Sequence, residues 1–337
     1  MKQIRLCLGE SSVYLLFSAL AILALVLGSW ACSRKMESIT IGYPPFESAT
    51  LLYLAEDQKL FSRNGLHVTC RRYDTGVATL GGILNGEVDI AVGVGEFPLV
   101  ARALQKDKMR IIGNIDKAEF IYLIGRKDRG IEKLSDLKGK RVGTTFGTAA
   151  HFHLGRFLDL HGMNMQDINL VDVKTPEQWV NAVVNGDIDA ISTAQPYADS
   201  VKDSLGANAV VWAAQSGQPL YGLIISSEDW ITKHPELATG FLQSLALAEE
   251  YLLRHPAESK AIVQKRLNLD VAYLETIWSQ NQFTLSLDQS LIVTMEDQAR
   301  WMIANGLTSE KRIPDFCDYI YSDSLKAVKP EAVNMIR

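Results

Sequence analysis

Apolar positions in this chain fall into short runs, each followed by a longer stretch in which they recur every three to four residues. The short runs predict strands, and the longer stretches predict amphipathic helices. Ile39–Gly42 is strand-like and leads into a helical stretch that stops at Asn64-Gly65. His67–Arg72 is the next strand, and a second helical stretch follows Thr75. The same order returns as Arg141–Thr145, a helical stretch stopping at His161-Gly162, Ile168–Val173, and a helix after Thr175. Each half reads β-α-β-α-β, with crossovers long enough for parallel pairing.

The halves also share a word. Leu84-Asn85-Gly86-Glu87-Val88-Asp89-Ile90 is matched 100 residues later by Val184-Asn185-Gly186-Asp187-Ile188-Asp189-Ala190, and Thr75 by Thr175 at the same offset. In both words Asn-Gly stops a helix and the next apolar residues start a buried strand. The word alone is short enough to arise by chance. Together with its Thr, its strand and the preceding unit, it marks two copies of one α/β unit.

Further β-rich runs follow each copy. Arg110–Asn114 and Phe120–Arg126 are expected to close the first half, and Ala209–Ala213 and Leu220–Ser226 the second. From Glu228 the pattern is helical to about Ala304, broken at His234-Pro235 and His255-Pro256. Helices without a third sheet must pack on one that already exists. The expected fold class is therefore α/β, with two Rossmann-like lobes, a two-strand hinge and C-terminal helices. Lobe 1 is expected to comprise 36–125 and 222–337, and lobe 2 to comprise 126–221. The cleft between such lobes is the natural ligand site.

Residues 1–35 differ in kind. Lys2 and Arg5 give a basic start, interrupted by Glu10; no charge occurs from Ser11 to Ser33, and Leu15–Leu27 is almost continuously apolar. This reads as an export signal. Ser29-Trp30-Ala31-Cys32 allows cleavage before Cys32, lipid attachment to Cys32, or an uncleaved anchor, since the apolar stretch approaches the ~20 residues that span a bilayer. An exported protein at the periplasm or cell surface, tethered to the membrane, is the expectation. The formal net charge of −5 over 337 residues, with no run of Lys or Arg, argues against a nucleic-acid partner. Past the signal only Cys70 and Cys317 remain; two unpaired cysteines are expected, with a single disulfide as the alternative.

Ligands of open α/β sheets sit beyond the carboxyl ends of the strands, against helix N-termini. In the first half those positions are Pro44–Glu47, with Pro45 and Phe46, then Thr75 and Gly76, and Gly93–Glu96, with Gly95 and Glu96. In the second they are Phe146–His151, with Phe146, Gly147, Thr148, Ala149 and His151, then Thr175 and Thr193–Tyr197, with Gln195 and Tyr197, and Tyr221 lies on the returning strand. Gly147-Thr148-Ala149-Ala150 opens a helix directly after a strand, where free N–H groups would favour an anion; a plain Thr148 cap is the alternative. A cleft-facing Glu96 would favour an amine, amidine or ring N–H, although a first-turn acid also suits its own helix dipole. Gly93-Val94-Gly95-Glu96 lacks the third glycine of a dinucleotide loop and follows the third strand rather than the first. Of the strand-end aromatics Tyr43, Phe46, Phe146, Tyr197 and Tyr221, a minority are expected to touch a solute. His151 and His153, at i and i+2, point to different faces of a helix, so no metal site is expected.

The order and spacing of several stretches resemble a known family. They are Ile41-Gly42-Tyr43 with Leu54-Ala55-Glu56, Tyr73–Gly76, Gly86–Ala91, Leu134–Gly143, Gly147–His151, Asp187–Ala190, Gln195-Pro196-Tyr197 and His234-Pro235-Glu236. Over roughly 38–306 the chain resembles the nitrate/sulfonate/taurine-binding family of ABC-transporter solute-binding proteins, with the type II periplasmic-binding-protein fold. The resemblance implies a monomer that captures a small-molecule solute and delivers it to an ABC permease and ATPase, without a cofactor and without chemistry on the solute. His151 matches a common family position. Gln195 stands where many relatives carry an acid or an aromatic residue, so the solute does not carry over: sulfonates, taurine, pyrimidine precursors and aromatic acids all stay open. The lack of Arg or Lys in these loops weighs against nitrate, sulfate or sulfonate, although backbone amides alone can hold an anion. One rival is a sensor of the same shape acting on a separate membrane signalling partner. Another is an enzyme, but the chain has no GxSxG, and the Cys-rich signature of the pyrimidine-precursor synthases on a related fold is missing.

Overall fold

The structure, a computed structural model, describes residues 36–335. The apolar leader and Cys32 lie outside the described residues. The strands are β1 (Glu37–Tyr43), β2 (Leu66–Arg72), β3 (Ile90–Val94), β4 (Met109–Ala118), β5 (Ile121–Arg126), β6 (Arg141–Thr144), β7 (Asn169–Asp172), β8 (Ala190–Ala194), β9 (Ala209–Ala213), β10 (Leu220–Ser227) and the short β11 (Asn281–Gln282). They form two sheets, ordered β11-β4-β10-β3-β1-β2 and β7-β6-β8-β5-β9. Two further short strands, 287–288 and 333–334, pair in parallel.

Each sheet is built on the same plan, because each copy of the repeated unit folds alike. The unit's first strand lies in parallel beside its third: Ile41 is opposite Ile90 in one sheet, and Val142 opposite Ala190 in the other. Between them run helices α1 (Thr50–Asp57), α2 (Leu60–Arg63) and α3 (Gly76–Leu84), with α4 (Glu96–Leu104) after β3; the second sheet has α5 (Ala149–Leu160), α6 (Pro176–Val184) and α7 (Tyr197–Leu205). The shared word has one mechanical job in both places. Thr75 caps α3 by accepting from the Ala78 amide at 3.1 Å, and Thr175 caps α6 through the Gln178 amide at 3.4 Å. Asn85 and Asn185 end those helices, and Gly86 (φ 69°) and Gly186 (φ 81°) take the left-handed turn that favours glycine. The aspartate then pins the neighbouring strand: Asp89 accepts from the Thr40 amide at 2.7 Å, and Asp189 from the Arg141 amide at 3.0 Å.

Asp189 also receives the Arg141 guanidinium at 2.7 Å, and that bond holds its carboxyl below the usual carboxylate range. Asp189→Ala is expected to cost about 1–2 kcal/mol near neutral pH by orphaning a strand-end amide. A folded-state acid with a depressed pKa contributes stability above its unfolded pKa and loses it as pH falls. Urea midpoints of parent and variant should therefore converge as pH falls below the ordinary carboxylate range; a gap that persists undiminished in acid would refute this assignment.

Phe120–Arg126 departs from the expectation. It does not close the first half; as β5 it pairs antiparallel with β8 and β9 in the second sheet. Leu220–Ser227 likewise leaves the second half, and as β10 it lies antiparallel between β3 and β4. Each half thus donates a strand to the middle of the other's sheet, which a reading of local periodicity misses because strand propensity carries no partner information. The chain crosses at 119–120 and at 214–219. Gln215, 1% exposed, ties the crossings together: its Oε1 accepts from the Phe120 and Ile121 amides at 2.5 and 2.8 Å, and its Nε2 donates to the Ala118 and Gln218 carbonyls at 3.1 and 3.0 Å.

The late helices are α8 (Glu228–Lys233), α9 (Pro235–Arg254), α10 (Pro256–Leu267), α11 (Val271–Gln280) and α12 (Gln289–Ala304). Leu242, Leu245, Val263, Ile277 and Met295 from them share one core with Leu51, Leu54, Ile90 and Ile111 of the first sheet and its helices. The second sheet buries both faces. Leu123 points to a core with Val142 and Leu154, and its neighbour Ile124 to one with Val183 and Ile191, as the alternation of a strand requires. Phe152 of α5 joins the first-sheet core instead, stacked on Phe97 at 5.7 Å. Cys70 and Cys317 are not joined by a disulfide.

Candidate functional site

A cavity of about 160 Å³ lies between the two sheets, bounded by the segments that leave the strand ends of both. Of the residues expected at the site, Phe46, Thr75, Gly76, Gly95, Thr148, Ala149, Gln195, Tyr197 and Tyr221 line it. From the first-sheet side, Gly76 opens α3 with its Cα against Val94; a Cβ there would sit 3.2 Å from the Val94 Cγ1. Gly93, at φ 72°, turns the end of β3 so that its carbonyl accepts from the Ser48 hydroxyl at 3.0 Å. Gly222 of β10 has no room for a side chain: a Cβ would meet Asp116 Cβ at 3.0 Å and the Ser48 carbonyl oxygen at 3.1 Å. These close approaches bring the segment after β1, the start of α3, the end of β3, and strands β4 and β10 together around one wall of the cavity.

On the second-sheet side α5 begins at the cavity, with Thr148, Ala149 and Ala150 in its lining. Thr148 is the N-cap residue, yet its side chain does not cap; its hydroxyl donates back to the Thr145 carbonyl at 2.7 Å. The first turn of α5 therefore keeps its amides free of side-chain acceptors, the condition under which a helix start attracts negative or electron-rich groups. Gln195 donates through Nε2 to Asp199 at 3.2 Å, and its Oε1 has no partner although the residue is only 7% exposed. Trp179 meets Tyr197 edge-on at 4.9 Å, locked by a 2.9 Å bond from its Nε1 to the Val173 carbonyl.

Several expected residues lie elsewhere. Glu96 does not face the cleft. It is wholly buried, with Oε2 accepting from the Tyr221 amide at 3.0 Å and Oε1 from Gln298 at 2.7 Å, and burial pushes its carboxyl up to about 7. Starting a helix at Glu96 turns its side chain back into the core while leaving Gly95 at the cavity. His151 is also buried, stacked between Phe146 at 4.9 Å and the edge of Trp301 at 5.3 Å, and burial lowers its pKa to about 4, so it packs as a neutral ring. Phe146 covers it from the solvent side, 44% exposed. Pro45 and Gly147 adjoin lining residues without lining the cavity themselves. Tyr43 belongs to the core.

Sequence reasoning missed Asp116, Trp179 and Ser192, all in the lining, whereas Glu47 and Thr193, also in the lining, fall within the strand-tip stretches 44–47 and 193–197. Glu47 is 9% exposed, and its Oε1 accepts from the Tyr273 hydroxyl at 2.8 Å; burial raises its pKa despite that bond. Asp116 is 2% exposed and its Oδ1 has no hydrogen-bond partner. Burial raises its pKa well above the ordinary value, the charge of Glu47 adds to the rise, and the nearby backbone amides of Lys117 and Gln282 oppose it without reversing it. For Asp116 the available signal was an acid just beyond the β-rich run Arg110–Asn114, where strand alternation can turn a side chain inward.

A family model described as NMT1/THI5 like matches residues 47–259. The chain is similar to a putative binding protein of Brucella abortus (strain 2308), 23% identical over 265 residues, which cover 77% of this chain and 81% of that one. It is 25% identical over 251 residues to the taurine-binding periplasmic protein of Escherichia coli (strain K12), covering 73% and 74% of the two chains. An enzyme is also among its relatives: 4-amino-5-hydroxymethyl-2-methylpyrimidine phosphate synthase of Schizosaccharomyces pombe is 22% identical over 224 residues, 62% of this chain and 63% of that one. In fold it matches the alkanesulfonate-binding protein SsuA from Xanthomonas axonopodis pv. citri bound to MOPS, with a TM-score of 0.74, 20% identity, and coverage of 86% and 100%. The fold is that of the periplasmic binding proteins, and this chain belongs to the NMT1/THI5-like family.

Proposed function

We propose that this protein is the extracytoplasmic solute-binding component of an ABC importer, which captures a small organic molecule between its two sheets and passes it to a permease. The reading rests on one observation: a cavity walled from both sheets, between halves that the chain connects by two short crossings. Such an arrangement suits closure around a solute, and the solute's contacts with both walls would favour the closed form. The periplasmic relatives support the same compartment. Among the described residues no helix is long and apolar enough to cross a membrane. In this reading residues 1–35 export the chain, and Cys32 or the apolar leader tethers it.

Incubating the protein with a metabolite extract and analysing what it retains tests the proposal. One unchanged solute per chain is expected; steady conversion of that solute to a product would replace capture with catalysis. Thr148→Trp, which fills the start of α5 from the lining side, is expected to weaken retention at least tenfold, about 1.4 kcal/mol, with an unaltered melting transition. Full retention would move the site away from this cavity.

A further inference from the structure

We infer that the captured solute carries a protonated nitrogen with N–H donors, an amine, amidine or protonated aminoheterocycle, held by Glu47 and Asp116. The inference rests on the capture reading above and concerns what that cavity selects. Both carboxyl groups line it, from the segment after β1 and from β4. Neither forms an ion pair among the described residues. Lys117, next to Asp116, is turned away to Asp288, and Arg266, the cation over the neighbouring Tyr53 ring, is paired with Glu56 at 2.6 Å. Glu47 has the Tyr273 hydroxyl, whereas Oδ1 of the nearly inaccessible Asp116 has nothing.

Two neighbouring buried acids without a cation are costly unless neutralised, either by protons or by a bound cation. A solute with two or more N–H donors would satisfy both, since charge-assisted bonds to carboxylate are the strong kind. The rest of the lining fits such a group: Phe46, Trp179, Tyr197 and Tyr221 offer aromatic surface, on which a cation or a flat protonated ring gains further attraction. The unpartnered Gln195 Oε1 adds an acceptor from the opposite wall. The competing arrangement is two neutral acids donating hydrogen bonds to an anion such as a sulfonate.

Three measurements separate these. First, the solute retained from an extract is identified by mass: a protonatable nitrogen is expected. Second, binding is compared within pairs that differ only in amine against hydroxyl, taurine against 2-hydroxyethanesulfonate and β-alanine against 3-hydroxypropionate, to determine whether any bound compound needs its nitrogen. Third, Asp116→Asn and Glu47→Gln are each expected to weaken the retained solute about 30-fold or more, as truncating one partner of a buried charged pair does. Removing a buried acid should leave folding intact, and thermal melts check that. For a cationic solute, affinity falls as pH is lowered through the raised carboxyl pKa values; the other titratable groups that interact with Glu47 are Tyr53, Tyr197 and Tyr273, on which Arg72, Arg266 and Asp199 act in turn. A retained solute without nitrogen, equal binding of hydroxyl partners, undiminished binding by both variants, or tighter binding in acid would each overturn the assignment while leaving capture intact. Retention of no solute at all would overturn both.

Discussion

Gln215→Ala is expected to lower the unfolding free energy by roughly 2–4 kcal/mol, because it orphans four backbone groups at the point where the halves join. The Phe120 and Ile121 amides lose their acceptor, and the Ala118 and Gln218 carbonyls lose their donor. None of these groups is at a strand interior where a ladder bond could replace the loss, and Gln215 itself is 1% exposed. Gln215→Met, of similar volume but without donor or acceptor, distinguishes hydrogen bonding from packing. It should be nearly as destabilising as alanine. Urea unfolding of the three proteins decides this; a methionine variant as stable as the parent would show that the side chain matters only for its bulk.

Glu96→Gln should flatten part of the dependence of stability on pH. In the folded protein burial raises the Glu96 carboxyl to about 7, against an ordinary value of 4.5. The unfolded chain thus releases this proton at lower pH than the folded one. Stability from this group is complete below about pH 4.5, declines as pH rises, and levels off above about 7. At 1.36 kcal/mol per pKa unit the decline amounts to roughly 3 kcal/mol. Glutamine carries no proton to lose, accepts from the Tyr221 amide as before, and can pair with Gln298, whose Oε1 has no partner. Glu47 and Asp116, also raised, add slopes of the same sign. The informative quantity is therefore the parent–variant difference in unfolding free energy between about pH 5 and about pH 8. No change in that difference would mean Glu96 is ionised in the fold at both values.

The two predictions concern groups that sequence reading treated unevenly. Gln215 lies in a stretch, Ala214–Pro219, that carries no periodicity and no motif. Its importance comes from touching Ala118, Phe120 and Ile121, residues almost a hundred positions earlier. Glu96 did attract notice, and its two weighed roles were a cleft contact and a first-turn acid. The structure makes it the first residue of α4, with its carboxylate directed to Tyr221 and Gln298. Those partners come from β10 and α12, so nothing local could have revealed them.

Much of the architecture was legible because it is local. Helix stops at Asn64-Gly65, Asn85-Gly86, His161-Gly162 and Asn185-Gly186 coincide with left-handed glycines, since only glycine takes that turn without strain. The repeated Thr, Asn-Gly and Asp each act within a few residues or on the adjoining strand, so duplicated words gave duplicated structure. Strand ends followed by helix starts likewise put Phe46, Thr75, Gly95, Thr148, Gln195 and Tyr197 around the cavity.

What required tertiary structure was partnership across distance. The exchange of β5 and β10 between sheets is decided by which edge completes its hydrogen bonds, and that edge is set by the whole lobe. Of the cavity's acids, Glu47 falls in the strand-tip stretch 44–47, whereas Asp116 lies on no strand tip, and that the two meet is decided by the fold. Glu47 and Asp116 are 69 positions apart. They matter because folding strips both of water and, among the described residues, pairs neither with a cation. The chain by itself determined two like α/β units and the loops at their strand tips, because propensity, capping and glycine turns act over a few residues. Only the assembled fold decided which strands trade places and which charges are left facing an internal space, because pairing and desolvation depend on neighbours that sequence order does not supply.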